Sequence, residues 1–130
     1  MSRRPFFKSE YVIKEGNMNT NLTSDVSALT LVSMLTYQFV WSGTSPVGTV
    51  AIECSSDYEV NAAGEVVNSG TWTPMTVTYL GTSVQSIPLS GNSGNGVIDI
   101  TLTSVPFIRA VYTATSGTGT LNVLASGKVA

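Results

Sequence analysis

Leu35-Thr36-Tyr37-Gln38-Phe39-Val40-Trp41 decides the fold of this chain. Successive side chains of a strand point to opposite faces, so one parity carries Leu35, Tyr37, Phe39 and Trp41 and the other Thr36, Gln38 and Val40. Bulky apolar groups on one side and mainly polar ones on the other describe a half-buried strand, and the aromatic row belongs to the core. Ser42-Gly43-Thr44-Ser45-Pro46 follows. Its Gly and Pro halt regular pairing, so the stretch is expected to turn the chain into a second strand, Val47 to Ser55, with Val50, Ile52 and Cys54 inward. The whole reads as a β-hairpin.

The same signals extend in both directions. Ala28 to Met34 places Leu29 and Leu31 on one parity, and residues 56–70 form a long polar connection. Trp72, Met75, Val77 and Tyr79 mark a further run, in which Pro74 favours an edge or a bulge. Val84 to Leu89 is a weak strand interrupted by Pro88, and residues 90–96, rich in Gly, Asn and Ser, are expected to be a flexible loop. Val97 to Val105 sets Ile98, Ile100 and Leu102 on one face. Phe107 to Thr115 and Thr120 to Ala125 close the chain, joined through Ser116-Gly117-Thr118-Gly119 as a hairpin turn. No stretch sustains a 3.6-residue apolar period with caps, so helix is expected to be nearly absent. About seven or eight short strands separated by turn residues predict an all-β domain: an antiparallel β-sandwich, jelly-roll-like, with an extended N-terminal arm.

Charge divides the chain. Arg3, Arg4, Lys8 and Lys14 outweigh Glu10 and Glu15 in residues 1–15, whereas the remainder carries Arg109 and Lys128 against six carboxylates. A polar stretch, residues 16–25, separates a slightly basic arm from an acidic body, which gives an arm and linker over 1–25 and a sandwich domain over 26–130. Arg3, Arg4, Phe6, Phe7, Tyr11, Val12 and Ile13 are the candidate assembly residues of that arm. Tyr11-Val12-Ile13 has the character of a short strand that could add to a neighbour's sheet edge. Four cations diluted by two carboxylates are too few for a nucleic-acid footprint. No apolar stretch of signal-peptide or membrane-spanning length is expected, and so no membrane partner.

Chemistry is restricted by what the sequence lacks. It has no histidine, one cysteine and 6 basic against 8 acidic residues in 130. Histidine is the side chain whose unperturbed pKa lies near neutrality, so proton transfer would fall to carboxylates such as Glu53, Asp57, Glu59, Glu65 or Asp99, which read as solvated strand and loop charges. No lysine stands in a spacing that would activate a serine nucleophile. Cys54 has no disulfide partner and reads as a small buried hydrophobe of a chain made in a reducing cytoplasm. Zinc is disfavoured. Asp57-Tyr58-Glu59-Val60-Asn61 superficially resembles the start of a calcium loop but lacks the glycine and terminal glutamate. No helix follows residues 91–96 to make them a phosphate loop. No cofactor, metal or catalytic residue is assigned. Trp72, beside the long connection, and Tyr58 are the candidate ligand contacts, as a stacking surface for a sugar. Arg109 is expected to pair with a carboxylate on a neighbouring strand, Asp99 first.

Residues 41–49 (Trp-Ser-Gly-Thr-Ser-Pro-Val-Gly-Thr), 53–57 (Glu-Cys-Ser-Ser-Asp), 70–73 (Gly-Thr-Trp-Thr), 107–113 (Phe-Ile-Arg-Ala-Val-Tyr-Thr) and 115–121 (Thr-Ser-Gly-Thr-Gly-Thr-Leu) together resemble small virion structural proteins of bacteriophages. The resemblance spans roughly residues 36–128 and consists of turn and core chemistry. Ala110 stands where a larger aliphatic is typical, and Cys54 where a plain strand residue is typical. The resemblance implies a β-sandwich subunit of a phage particle, synthesised in the host cytoplasm and acting in the virion. Its partners would be copies of itself and other virion proteins. The leading expectation is a non-enzymatic, homo-oligomeric capsid decoration or related assembly component, docked by its arm. A glycan-binding module on a fibre or spike is the alternative.

Overall fold

The computed structural model describes residues 6–29, 34–101 and 105–128. Arg3, Arg4, Leu31 and Leu102 lie outside them. Among the described residues there are strands and no helix: β1 (Phe6–Asn17), β2 (Leu22–Thr23), β3 (Ser27–Ala28), β4 (Met34–Ser55), β5 (Glu59–Val60), β6 (Val66–Asn68), β7 (Thr73–Pro74), β8 (Val77–Tyr79), β9 (Thr82–Val84), β10 (Ile87–Ser90), β11 (Ser93–Thr101) and β12 (Phe107–Lys128). No described helix is long and apolar enough to cross a membrane.

Two 22-residue strands form the axis. β4 and β12 pair antiparallel from Phe107↔Ser55 to Lys128↔Met34. Along the free edge of β12 lie β1, β2 and β3 in succession, and along that of β4 lie β11, β10 and β7. These eight strands make one antiparallel sheet, and β5–β6 and β8–β9 form two small hairpins beside it.

The two Gly/Ser-rich stretches read from sequence as hairpin turns are not turns. Residues 42–46 and 116–119 lie opposite one another inside β4 and β12, with Thr118↔Thr44 and Gly119↔Gly43 in register and a shift at Ser116↔Val47. The pairs Ala114↔Gly48 and Thr118↔Thr44 enclose the same number of residues on each strand, so both strands bulge by one residue together. Each bulge inverts the parity: β4 buries Leu35, Tyr37, Phe39 and Trp41 before it and Val50 and Ile52 after it, while β12 buries Ile108, Ala110 and Tyr112, then Leu121, Val123 and Ala125. The same sheet face therefore stays inward along both strands. Turn chemistry is used here to bend strands: Ser45 has φ +48 and Gly117 φ +78. A Cβ on Gly117 would stand 2.1 Å from the Ser45 carbonyl oxygen, which only glycine accommodates.

At this bend the sheet folds over itself. Tyr37, paired with Ala125, donates a hydrogen bond of 2.9 Å to Ser27, which pairs with Ile108. Those β12 partners, Ala125 and Ile108, are 17 residues and so roughly 55 Å apart along an extended strand. Asp25 N–H likewise donates to the Val12 carbonyl at 3.0 Å. Between the halves lies one core of Tyr37, Phe39, Tyr112, Ile52, Ile98, Leu121 and their neighbours.

Four further expectations are corrected. The segment expected to leave the body as an arm is, from Phe6 onward, an edge strand of its own sheet, with Val12 and Ile13 buried in the shared core. The linker expected at 16–25 carries fully buried Met18, whose N–H donates to the Gly119 carbonyl, and buried Ser24, whose N–H donates to the Ala110 carbonyl. The loop expected at 90–96 is a short turn followed by the first residues of β11, where Gly94 lies under the Trp41 ring. Asn92 ties that turn to the bend by accepting from Ser45 N–H at 2.8 Å. Cys54 is half-buried rather than fully inward, its thiol donating to the Thr73 carbonyl at 3.4 Å.

Candidate functional site

The candidate ligand contacts Trp72 and Tyr58 come together on the outer face of the half built from β4, β7 and the start of β12. Arg109 and Glu53 are direct cross-strand partners there, and Nε and Nη2 of Arg109 both reach Glu53 Oε1 at 2.9 Å. Asp99, the partner expected from sequence, belongs to the other half of the sheet, where it accepts from Thr36 at 2.6 Å. The Arg109 guanidinium, held by Glu53, lies 4.2 Å from the Trp72 ring centroid, a cation–π contact. Tyr58 meets Trp72 at 5.7 Å with the rings tilted by 57°, and meets Phe107 edge-on at 5.1 Å.

Loop chemistry positions these rings. Asp57 accepts from Thr71 N–H at 2.6 Å, from the Ser55 hydroxyl at 2.8 Å and from the Thr71 hydroxyl at 2.9 Å. Those donors, the Thr71 amide first, hold its carboxyl below the ordinary aspartate range. The clamp joins the two ends of the long connection. Trp72 Nε1 then donates to the Ser69 carbonyl at 2.8 Å. One face of the indole is thus covered by Arg109 and its N–H is engaged. Asn61, the last oxygen-bearing residue of the superficial calcium pattern, turns its Oδ1 to the N–H groups of Ala63 and Glu65. Among the described residues no group of three or more His, Cys, Asp or Glu stands together as a metal site.

The candidate assembly residues are separated. Phe6 and Phe7 pair through their backbone with Lys128 and Gly127, Val12 and Ile13 are buried, and Tyr11 is 47% exposed. Where the folded halves meet, Glu10, Tyr11, Val12 and residues 25–28 line a groove of about 450 Å³ with two exposed carboxylates, Glu10 and Asp25, at its rim. Sequence reasoning missed Glu53 as the partner of Arg109. Its only signal is register, which becomes countable once residues 42–46 and 116–119 are recognised as opposing bulges.

No protein-family model matches the chain, and no curated protein does. The fold is similar to that in the crystal structure of the SPBc2 prophage-derived protein YomS, with a TM-score of 0.64 over 98% of this chain and 97% of that one at 12% sequence identity. At that identity the likeness concerns the fold alone.

Proposed function

We propose that this chain is a non-enzymatic structural protein of a bacteriophage particle, a capsid decoration or related assembly component that works by associating with its own copies and with other virion proteins. The observation carrying this reading is the end-to-end likeness of its fold to a prophage-derived protein. The resemblance of its bend and strand sequences to small virion proteins, met independently, supports it. Composition agrees: a surface of hydroxyls and amides with few titratable groups keeps its contacts over a wide pH range.

In this reading the folded sheet serves as a β-sandwich, jelly-roll-like in the way its halves enclose one core. The docking arm contracts to the segment of Arg3 and Arg4 together with the exposed edge of β1, whose cations suit the acidic body of a neighbour. The test uses particles produced without this chain. They are expected to be incomplete or to lose DNA at lower temperature than complete ones, and purified protein is expected to bind them and restore stability. Particles indifferent to its loss and unable to bind it would refute the reading.

A glycan-binding module is the second reading, favoured by the proximity of Trp72 and Tyr58. Their 57° tilt and the guanidinium on the indole leave no coplanar pair for a sugar ring. A glycan array that responds, with loss of signal in Trp72→Ala, would establish it.

A further inference from the structure

The outer face of the other half of the sheet carries a second, chemically distinct surface. Register places Tyr11, Leu124, Gln38 and Val97 in one row across four strands, because Tyr11 pairs with Leu124, Leu124 with Gln38 and Gln38 with Val97. The next row holds Asn122, Val40 and Asn95. Directly paired residues point to the same side of a sheet, and the opposite side is the core. Tyr11, Val40 and Val97 are 47%, 40% and 48% exposed. No charge stands in either row on β12, β4 or β11; on β1, Lys14 and Glu15 fall opposite Asn122, whose Oδ1 accepts from Glu15 N–H at 2.7 Å. Lys14, 5.6 Å from the Tyr11 ring centroid, and Asp99, bound by Thr36, lie at the margin.

We propose that this four-strand face is the surface on which a second copy of the chain docks, face to face. The inference rests on the structural role proposed above. Three physical arguments select that occupant. Residues 16–130 carry Arg109 and Lys128 against six carboxylates, so two copies repel over most of their surfaces, and an uncharged face is where they approach without that cost. Amides and hydroxyls hold donor and acceptor on one side chain, so Gln38 and Asn95 can satisfy their own duplicates across a two-fold axis, which a single-sign charged face cannot do. A charge-free centre with a tyrosine and aliphatic residues is also the composition of an interface core.

Area sets the strength. Four strands at about 4.8 Å spacing and the nine residues of β11 at about 3.4 Å, a span that takes in Asp99 at its margin, give roughly 590 Å² per copy. Two copies then bury about 1,200 Å², near the lower bound of specific interfaces and above ordinary crystal contacts. The contact is a reversible one that multiplies when many copies are held on one particle.

Sedimentation equilibrium across a wide concentration range tests this on the full chain. Wild type is expected to show reversible self-association, and Val40→Glu or Val97→Glu to lower the association constant by roughly tenfold or more, because like charges then face each other. Val40→Thr with Val97→Thr, which keeps strand propensity, is expected to weaken association less, with an unchanged melting temperature. Val66→Glu on the β5–β6 hairpin is expected to change nothing. Face variants that associate like wild type would overturn this inference while leaving the structural role standing, since association then uses another surface. A wild-type chain monomeric at every concentration overturns it too, and only its failure also to bind particles removes the role as well.

Discussion

The Tyr37 hydroxyl donates to the Ser27 hydroxyl at 2.9 Å, joining two strands that belong to opposite halves of one sheet. Tyr37 is fully buried and points from β4 across the core, whereas Ser27 sits in the short edge strand beside the start of β12. A bond between them is possible only because β4 and β12 bend together. It therefore reports on folding of the sheet as a whole.

Tyr37→Phe is expected to lower stability by about 1–2 kcal/mol in urea unfolding, since it removes the donor and leaves the Ser27 oxygen without it. Burial pushes the Tyr37 hydroxyl up to about 12, with the Ser27 bond acting in the opposite direction. A folded-state value above the unfolded one means that the unfolded chain releases its proton first as pH rises. This contribution is complete below pH 10 and is lost between pH 10 and about 12, a loss on the order of 2 kcal/mol. Burial raises Tyr112 as well, so Tyr37→Phe is expected to flatten the alkaline limb without abolishing it.

Arg109 and Trp72 are expected to be coupled. A double-mutant cycle with Arg109→Met and Trp72→Leu should give an interaction energy of about 0.5–1 kcal/mol, measured by urea unfolding. Arg109→Lys keeps the charge beside Glu53 but loses the planar stack, and is expected to recover only part of it. Additive single effects would show the stack to be energetically empty.

Gly94→Ala is expected to cost about 1–3 kcal/mol, because the new Cβ would stand 2.3 Å from the Trp41 ring and the core on either side cannot yield freely. The near-ultraviolet dichroism of Trp41 should change with it. An unaltered spectrum and stability would mean that the indole does not cover this strand.

Leu80→Asn should stabilise by about 0.5–1 kcal/mol. Leu80 and Gly81 form a two-residue hairpin loop at φ +53 and +81, where Asn-Gly is the preferred pair, and Leu80 is 86% exposed so no buried contact is lost. Thermal unfolding measures it. A loss of stability would show that Leu80 makes a contact at the hairpin tip.

The strand content and inward parity were legible because alternation is local: Leu35, Tyr37, Phe39 and Trp41 are buried as their spacing demands. The bends were not, because Gly43, Pro46, Gly117 and Gly119 suit a hairpin and a bulge alike, and only the length of pairing beyond them distinguishes the two. That ambiguity carried into the site. With two hairpins assumed, Arg109 has no fixed neighbour; with two opposing bulges, Glu53 is its direct partner. Gly94 and Gly96 have the character of a loop in sequence because nothing local signals the aromatic rings of Trp41 and Tyr79 that lie against them. The basic N-terminal stretch was legible as distinct in charge, but Val12, Ile13 and Met18 are too few to announce that their partners lie in the same chain.

The most direct measurement is quantitative mass spectrometry of purified phage particles from cells that carry this gene. A structural role predicts this chain in every particle at a fixed ratio to the major capsid or tail protein, unchanged by further gradient purification. Its absence from particles, with the protein recovered only from the soluble lysate, would contradict the account.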